Sequence, residues 1–248
     1  MLGITHAGKA GQSGFTLIEM SIVLVIIGLI IGGILKGQEI IESSRQKNVI
    51  TQIDAVRSAI NTFADKYNAL PGDYGSASTR ISAVLTDGDD NGLIAASDAA
   101  AVITTVQNTD ENLDFFNHLA GAELLSGTTI GTVGTAFGDG AALPAVAIPG
   151  AGMTLVYGNH NALTTSPRQT HWLRVHKDPT AAITTAAGSG AFTGKSLFQI
   201  DLKVDDGVGF QGNTRLFETN AACATGATGL YVALGNDQFC TGFFELLQ

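Results

Sequence analysis

The sequence predicts an α+β protein in which one long N-terminal helix packs on an antiparallel β-sheet. An apolar segment, Phe15–Leu35, which is interrupted only by the charge of Glu19, is followed by an apolar stripe of helical spacing that ends at Tyr67. Beyond Pro71 the chain is rich in Gly, Ala and Thr, and short apolar segments with β-branched or aromatic residues recur between turn residues. A hydrophobic content of 45% over 248 residues is ample for one sizeable core.

The segment Phe15–Leu35 predicts a membrane-spanning helix. At a rise of about 1.5 Å per residue it would extend about 31 Å, which matches the thickness of the hydrocarbon layer. Glu19 is the only charged residue in it. A carboxylate at membrane depth costs roughly a few kcal/mol, so a positively charged partner is expected. Lys36 lies about 25 Å further along such a helix and is too distant.

The helix is expected to continue to Tyr67. Its apolar stripe has alternating spacings of four and three residues and consists of Val49, Ile53, Val56, Ile60, Phe63 and Tyr67. Such a stripe favours packing of one helix face against a globular core, and a free coiled coil is the alternative. The turn residues of Leu70-Pro71-Gly72-Asp73 predict the end of the helix.

Residues 14–20, Gly-Phe-Thr-Leu-Ile-Glu-Met, at the head of a long hydrophobic helix resemble the N-terminal motif of the type IV pilin and type II secretion pseudopilin superfamily. The resemblance implies cleavage after Gly14 by a prepilin peptidase and N-methylation of the new amine on Phe15. Glu19 would then be the residue whose carboxylate pairs with the N-terminal amine of a neighbouring subunit. Cleavage therefore supplies the positive partner that the apolar segment lacks.

Other segments are similar to recurrent segments of one group of bacterial prepilin-like proteins, namely residues 63–74, 87–94, 116–119 and 203–207. One position departs from the family pattern. Many pilins carry a proline near the twenty-second mature residue, where this chain has Lys36 with three glycines nearby, Gly32, Gly33 and Gly37. Glycine is an alternative means of loosening a helix.

The resemblance implies four regions: a cleaved leader at 1–14, a membrane or filament-core helix at 15–36, an amphipathic helix at 37–70, and a globular α+β region at 71–248. It implies a homopolymer formed through the N-terminal helices. The implied partners are the peptidase, an inner-membrane platform protein and an assembly ATPase. The expected location is the inner membrane, with a single span and the globular region outside the cytoplasm, followed by a periplasmic or extracellular filament.

Within residues 71–248 the patterns predict several elements. Residues 74–112 and 126–152 are expected to be mostly loops, and Glu111–Leu125 is expected to form a short amphipathic helix. The predicted strands are residues 153–158, 171–176, 196–204, 214–218 and 229–234.

The segment Asp87–Asp98 has the ligand spacing of a calcium-binding loop. Oxygen-bearing side chains occupy loop positions one, three, five and twelve, Gly92 is at six, and position seven would contribute a backbone carbonyl; the predicted ligands are Asp87, Asp89, Asn91, Leu93 and Asp98. The alternative is an acidic surface turn, since Asp, Asn and Gly also favour turns. The second acidic turn, residues 205–207, is more typical of a hairpin.

Cys223 and Cys240 are the two cysteines of the chain. Outside the cytoplasm such a pair predicts one disulfide, and two buried thiols are the alternative. No neighbouring His or further Cys completes a metal-ligand set around them.

The net charge of −9 and the absence of a basic run argue against nucleic-acid binding. The chain also lacks a nucleophile-elbow motif and a phosphate-binding loop, and its scattered histidines form no ligand set, so no enzyme is predicted. A filament subunit is the favoured interpretation. A minor or tip subunit that acts as a calcium-dependent adhesin is the alternative.

Overall fold

The computed structural model describes residues 16–94, 111–131, 136–138, 140–160, 168–179, 190–216, 223–225, 230–231 and 240–247. The chain divides into two compact units, an N-terminal unit of residues 1–43 and a C-terminal unit of residues 44–248. Helix α1, Leu17–Tyr67, contributes to both units.

The long helix is confirmed. It ends at Tyr67, after which Asn68 adopts a left-handed backbone conformation with φ of 52°, a common way to terminate a helix. In the C-terminal unit the apolar stripe of α1 is buried at Val49, Ile53, Val56, Ile60 and Phe63. The stripe therefore packs on the core of that unit, and the free coiled coil is ruled out for it.

The C-terminal unit contains a four-stranded sheet. It contains β1 (Gly152–His160), β2 (Arg168–His176), β3 (Thr214–Leu216) and β6 (Gly242–Glu245), in the order β1-β2-β6-β3 with every pairing antiparallel. Strands β4 (Ala224–Thr225) and β5 (Leu230–Tyr231) pair separately. The predicted α+β architecture is thus confirmed.

Two predicted strands match long strands of this sheet. Residues 153–158 lie within β1, and residues 171–176 lie within β2. The prediction for 214–218 is met by β3 over three residues and that for 229–234 by β5 over two, and the remaining positions lie outside the described residues.

Strand β6 was not predicted, although it lies between β2 and β3. All four of its residues are buried, including the adjacent Phe243 and Phe244. A strand that is covered on both faces lacks the alternation of apolar and polar residues from which half-buried strands are recognised.

The prediction of a strand at 196–204 is wrong, because these residues belong to helix α4, Gly194–Val204. Thr193 and Ser196 form a reciprocal capping box that starts the helix. The buried face is Leu197, Ile200 and Asp201, with helical spacing, whereas Leu202 is exposed. Leu202 and Val204 alternate with Asp201 and Lys203, and this two-residue period is typical of a strand.

The remaining helices are α2 (Ala77–Arg80) and α3 (Glu111–Gly121). Helix α3 confirms the predicted amphipathic helix but ends at Gly121. It buries Phe115, Phe116 and Leu119 in the same core as the stripe of α1.

Candidate functional site

The N-terminal part of α1 has an exposed apolar surface. Helix α1 contains a window with a mean hydropathy of 2.7 that is long and apolar enough to cross a membrane, and none of that window is buried. Large aliphatic side chains remain exposed along it, among them Leu24, Ile30 and Leu35. In water such a surface is unfavourable by roughly 25 cal/mol per Å², so it requires lipid or other protein around it.

Glu19 lies in the first turn of α1 and has a local partner that was not predicted from the sequence. Its Oε2 accepts hydrogen bonds of 2.8 Å from both the backbone N–H and the hydroxyl of Thr16. The backbone N–H of Glu19 donates in return to Thr16 Oγ1 at 3.4 Å. This is a capping box, and a Thr-x-x-Glu spacing immediately before a helix is the sequence signal that identifies it.

The cleavage and methylation positions, Gly14 and Phe15, lie outside the described residues. Lys36, at the position where many pilins have proline, forms a 2.6 Å ion pair with Glu39 on the helix surface. The helix is continuous through this region. A Cβ atom added at Gly32, Gly33 or Gly37 would contact nothing within 4 Å, so these glycines leave the helix surface open to a neighbour.

The predicted calcium ligands that the structure describes make local hydrogen bonds within and beside the acidic loop. Asp87 accepts 2.7 Å hydrogen bonds from the N–H and the hydroxyl of Ser78, which lower the pKa of Asp87. Asp89 and Asn91 are joined by two hydrogen bonds, and Asn91 Oδ1 accepts from the N–H of Leu93. Asp98 lies outside the described residues.

A different group of carboxylates lies beside this loop. Single oxygens of Asp73, Asp89 and Glu111 lie within 4.8 Å of one another. Asp73 is buried and accepts hydrogen bonds from the N–H groups of Asn91 at 2.9 Å and Gly92 at 3.0 Å. Burial is the main cause of its raised pKa, which these two N–H groups partly offset. The structure thus groups Asp89 with residues of the helix-ending turn and of α3.

A second acidic group contains Asp201 of α4 with Asp205 and Asp206, whose carboxylate oxygens also lie within 4.8 Å of one another. Asp201 is fully buried, and the hydroxyl of Tyr231 donates to its Oδ2 at 2.7 Å. Burial, with repulsion from Asp206 and Asp205, raises the pKa of Asp201 to about 7, although the Tyr231 hydroxyl and the N–H of Gly207 oppose the shift. In helix α4, Asp201 lies one turn before Asp205, a proximity that the predicted strand at 196–204 does not provide.

Cys223 and Cys240 form a disulfide with a Cα–Cα distance of 5.7 Å. Both half-cystines are buried. Phe192, just before α4, pairs with Cys240 through two backbone hydrogen bonds. The predicted disulfide is therefore present, and the pairing of Cys240 with Phe192 places this cysteine next to the start of α4.

Three histidines are buried as neutral packing residues. His118 accepts from the N–H of Gly72 through Nδ1, and its Nε2 lies 2.8 Å from the carbonyl oxygen of Thr86, so Nε2 carries the proton. His171 Nε2 accepts from the N–H of Ile94 at 3.0 Å. Burial lowers the pKa of His171 to about 4 and, together with Arg174, that of His176 to about 3.

Comparison with known proteins identifies the N-terminal segment. Residues 9–35 match the prokaryotic N-terminal methylation motif. No curated protein and no solved structure in the comparison matches the chain.

A long N-terminal helix with an exposed apolar half, joined to an antiparallel sheet, is a pilin-like architecture. The methylation motif that this helix carries is the signature of type IV pilins and pseudopilins. The chain thus has both the sequence signature and the architecture of this class of structural proteins.

Proposed function

We propose that the chain is a structural subunit, a pilin or pseudopilin, of a type IV pilus-like or type II secretion filament. The observation that carries the proposal is the methylation motif at residues 9–35 on a helix whose apolar surface is exposed. Before assembly, that surface is covered by membrane lipid. In the filament it is covered by the helices of neighbouring subunits.

The proposed maturation is cleavage after Gly14 by the prepilin peptidase, followed by methylation of the Phe15 amine. A platform protein and an assembly ATPase then add the subunit to the filament outside the cytoplasm. The new amine pairs with Glu19 of a neighbouring subunit. Two opposite charges attract strongly in an apolar surrounding, so this pair sets the stagger of the subunits while the apolar helices supply most of the attraction.

Intact-mass and N-terminal peptide mass spectrometry of protein from the native membrane test the maturation. The expected mature chain begins at Phe15 and carries the additional mass of one methyl group. A chain that still contains residues 1–14, or one cut on the C-terminal side of Glu19, would contradict the proposal.

The calcium site in the acidic loop is a separate proposal, supported by the spacing of residues 87–98 and by the proximity of Asp89 to Asp73 and Glu111. The test is calcium titration of the mature protein in detergent, monitored by hydrogen exchange of the loop amides. Calcium should protect these amides in the wild type and not in Asp89→Asn. Equal protection in both proteins, or none in the wild type, excludes the site. The adhesin alternative has no specific support among these observations.

A further inference from the structure

The acidic group at the C-terminal end of α4 has no role in the proposed assembly. Asp201 lies in the last turn of α4, Asp205 is its C-cap, and Asp206 follows directly. One carboxylate oxygen from each of the three residues lies within 4.8 Å of the other two. This distance is compatible with oxygens that share one metal ion at about 2.3–2.6 Å each.

The buried carboxylate of Asp201 is incompletely satisfied. Its side chain is 0% exposed, and its Oδ2 accepts the hydrogen bond from Tyr231. The N–H of Gly207 lies near enough to the carboxylate to lower its pKa, but Oδ1 is buried and makes no hydrogen bond of normal geometry. A buried carboxylate oxygen without a partner is unfavourable, and a cation bound to it would remove that penalty.

The three carboxylates lie at the C-terminal end of a helix, which makes their negative charges more unfavourable than burial and mutual repulsion alone. The last carbonyl groups of a helix carry partial negative charge and favour cations. Lys203 is the basic residue in the last turn of α4, and it is exposed. In the part of the chain that the structure describes, no basic side chain forms an ion pair with any of the three aspartates.

We propose that Asp201, Asp205 and Asp206 form a binding site for a divalent cation of the calcium type. Local hydrogen bonds already orient two of the carboxylates. Asp205 Oδ2 accepts from the N–H groups of Asn213 and Thr214, and Asp206 Oδ1 accepts from the N–H of Val208 at 2.8 Å. Each of these carboxylates thus has a second oxygen for the ion. An oxygen-only set with three carboxylates is the ligand chemistry of calcium.

The site would connect α4 with the disulfide-closed segment. Tyr231 lies in β5, between Cys223 and Cys240 in sequence, and its hydroxyl bonds to Asp201. A bound ion would therefore hold the end of α4 to the turn that follows it, and it would fix the carboxylate to which Tyr231 of the disulfide-closed segment bonds. This inference does not depend on the filament function, because it concerns only the C-terminal unit.

The experiment is calcium titration calorimetry and thermal unfolding of the full mature chain in detergent, after removal of bound metal with EGTA. Calcium alone is the probe. The wild type should bind with a Kd on the order of 10⁻⁴ M and should unfold at a higher temperature with calcium. Asp206→Asn, at an exposed position, should weaken this binding at least tenfold, and Asp201→Asn should abolish it.

Two further variants serve as controls for the assignment. Asp65→Asn changes an exposed aspartate of α1 and should bind calcium as the wild type does. Asp89→Asn removes one carboxylate of the group formed with Asp73 and Glu111, and it should leave calcium binding at Asp201 unchanged.

If Asp201 has only a structural role, Asp201→Asn should destabilise the protein equally with and without calcium. The metal site predicts a different result. In EGTA, Asp201→Asn should be at least as stable as the wild type, because it removes a buried charge next to two others. The wild type should become the more stable protein only when calcium is added. Equal destabilisation by Asp201→Asn with and without calcium overturns the proposal. The proposal is also overturned if the wild type shows neither heat of binding nor a shift in melting temperature at millimolar calcium. It is overturned as well if Asp201→Asn and Asp206→Asn bind calcium as the wild type does.

Discussion

Glu19 combines two distinct roles at the start of α1. As a capping residue it accepts hydrogen bonds from Thr16 and satisfies a free N–H of the first turn. As an assembly residue it would provide a negative charge for the amine of another subunit. The first role requires an acceptor at position 19, whereas the second requires a charge.

Two substitutions separate these roles. Glu19→Gln retains an acceptor for Thr16 but removes the charge, so we expect membrane insertion without filaments. Thr16→Val removes the side chain of the cap but retains the charge, so we expect filaments together with a helix start that is weaker by about 1 kcal/mol. Electron microscopy of sheared filaments and membrane fractionation measure both outcomes. Normal filaments from Glu19→Gln would show that capping is the main function of this residue.

His171 makes the C-terminal unit sensitive to acid. Its pKa is lowered to about 4 in the folded protein, below the value of about 6.5 for an unfolded chain. The unfolded state therefore binds more protons, and stability falls as the pH decreases from about 6.5 to about 4. The expected loss from this residue is about 3 kcal/mol.

The variant His171→Gln can accept from Ile94 without titrating. As the pH falls from 7 to 4, we expect the unfolding free energy of the wild type to decrease more than that of the variant. Denaturant unfolding at several pH values measures it. The raised pKa of Asp201 acts in the opposite direction, so the comparison between the two proteins is required. A difference that is constant with pH would contradict the assignment.

The connection between α1 and α3 depends on one glycine in the helix-ending turn. Gly72 has a φ of +93°, and its N–H donates to His118 of α3 at 2.8 Å. A Cβ atom at this position would lie 2.6 Å from the carbonyl oxygen of Glu111. The turn thus sets how closely the start of α3 approaches the end of α1.

We expect Gly72→Ala to destabilise the protein by about 3 kcal/mol, from the combined cost of a left-handed alanine and a backbone clash. Gly92→Ala is the matched control. Gly92 also has a positive φ, of +85°, but a Cβ there meets nothing within 4 Å, so the expected cost is about 1 kcal/mol. Thermal unfolding in EGTA measures both. Equal effects of the two substitutions would show that the clash is relieved by backbone movement.

For the molecule as a whole, the disulfide ties the last segment of the chain to the core. The two cysteines are 17 positions apart, and β6 follows directly after Cys240 into the centre of the sheet. Removal of the bond would lengthen the free chain that must be ordered when the sheet forms.

The double variant Cys223→Ala, Cys240→Ala should therefore be less stable by about 3 kcal/mol, the value typical of a loop of this size. Denaturant unfolding of the mature protein provides the measurement, with the reduced wild type as a second reference. A loss below about 1 kcal/mol in both proteins would mean that packing alone orders the segment.

The sequence was sufficient for features that depend on local patterns. The apolar segment, the stripe of α1, the helix-ending turn after Tyr67 and strands β1 and β2 follow from residue spacing, because each has one periodicity over many residues. The motif around Glu19 likewise predicts the class of protein from a few adjacent residues. The match of residues 9–35 to the methylation motif confirms the signature on which that prediction rests.

Tertiary structure decided the features in which distant residues meet. The double burial of β6 removed its alternation, and the capping box at Thr193 selected a helix where the alternation of Leu202 and Val204 suggested a strand. Asp89 meets Asp73 and Glu111, and Asp201 meets Tyr231, only because separate elements pack together. Spacing along the chain determines what one element does. Which carboxylates share a site depends on how those elements pack in the core.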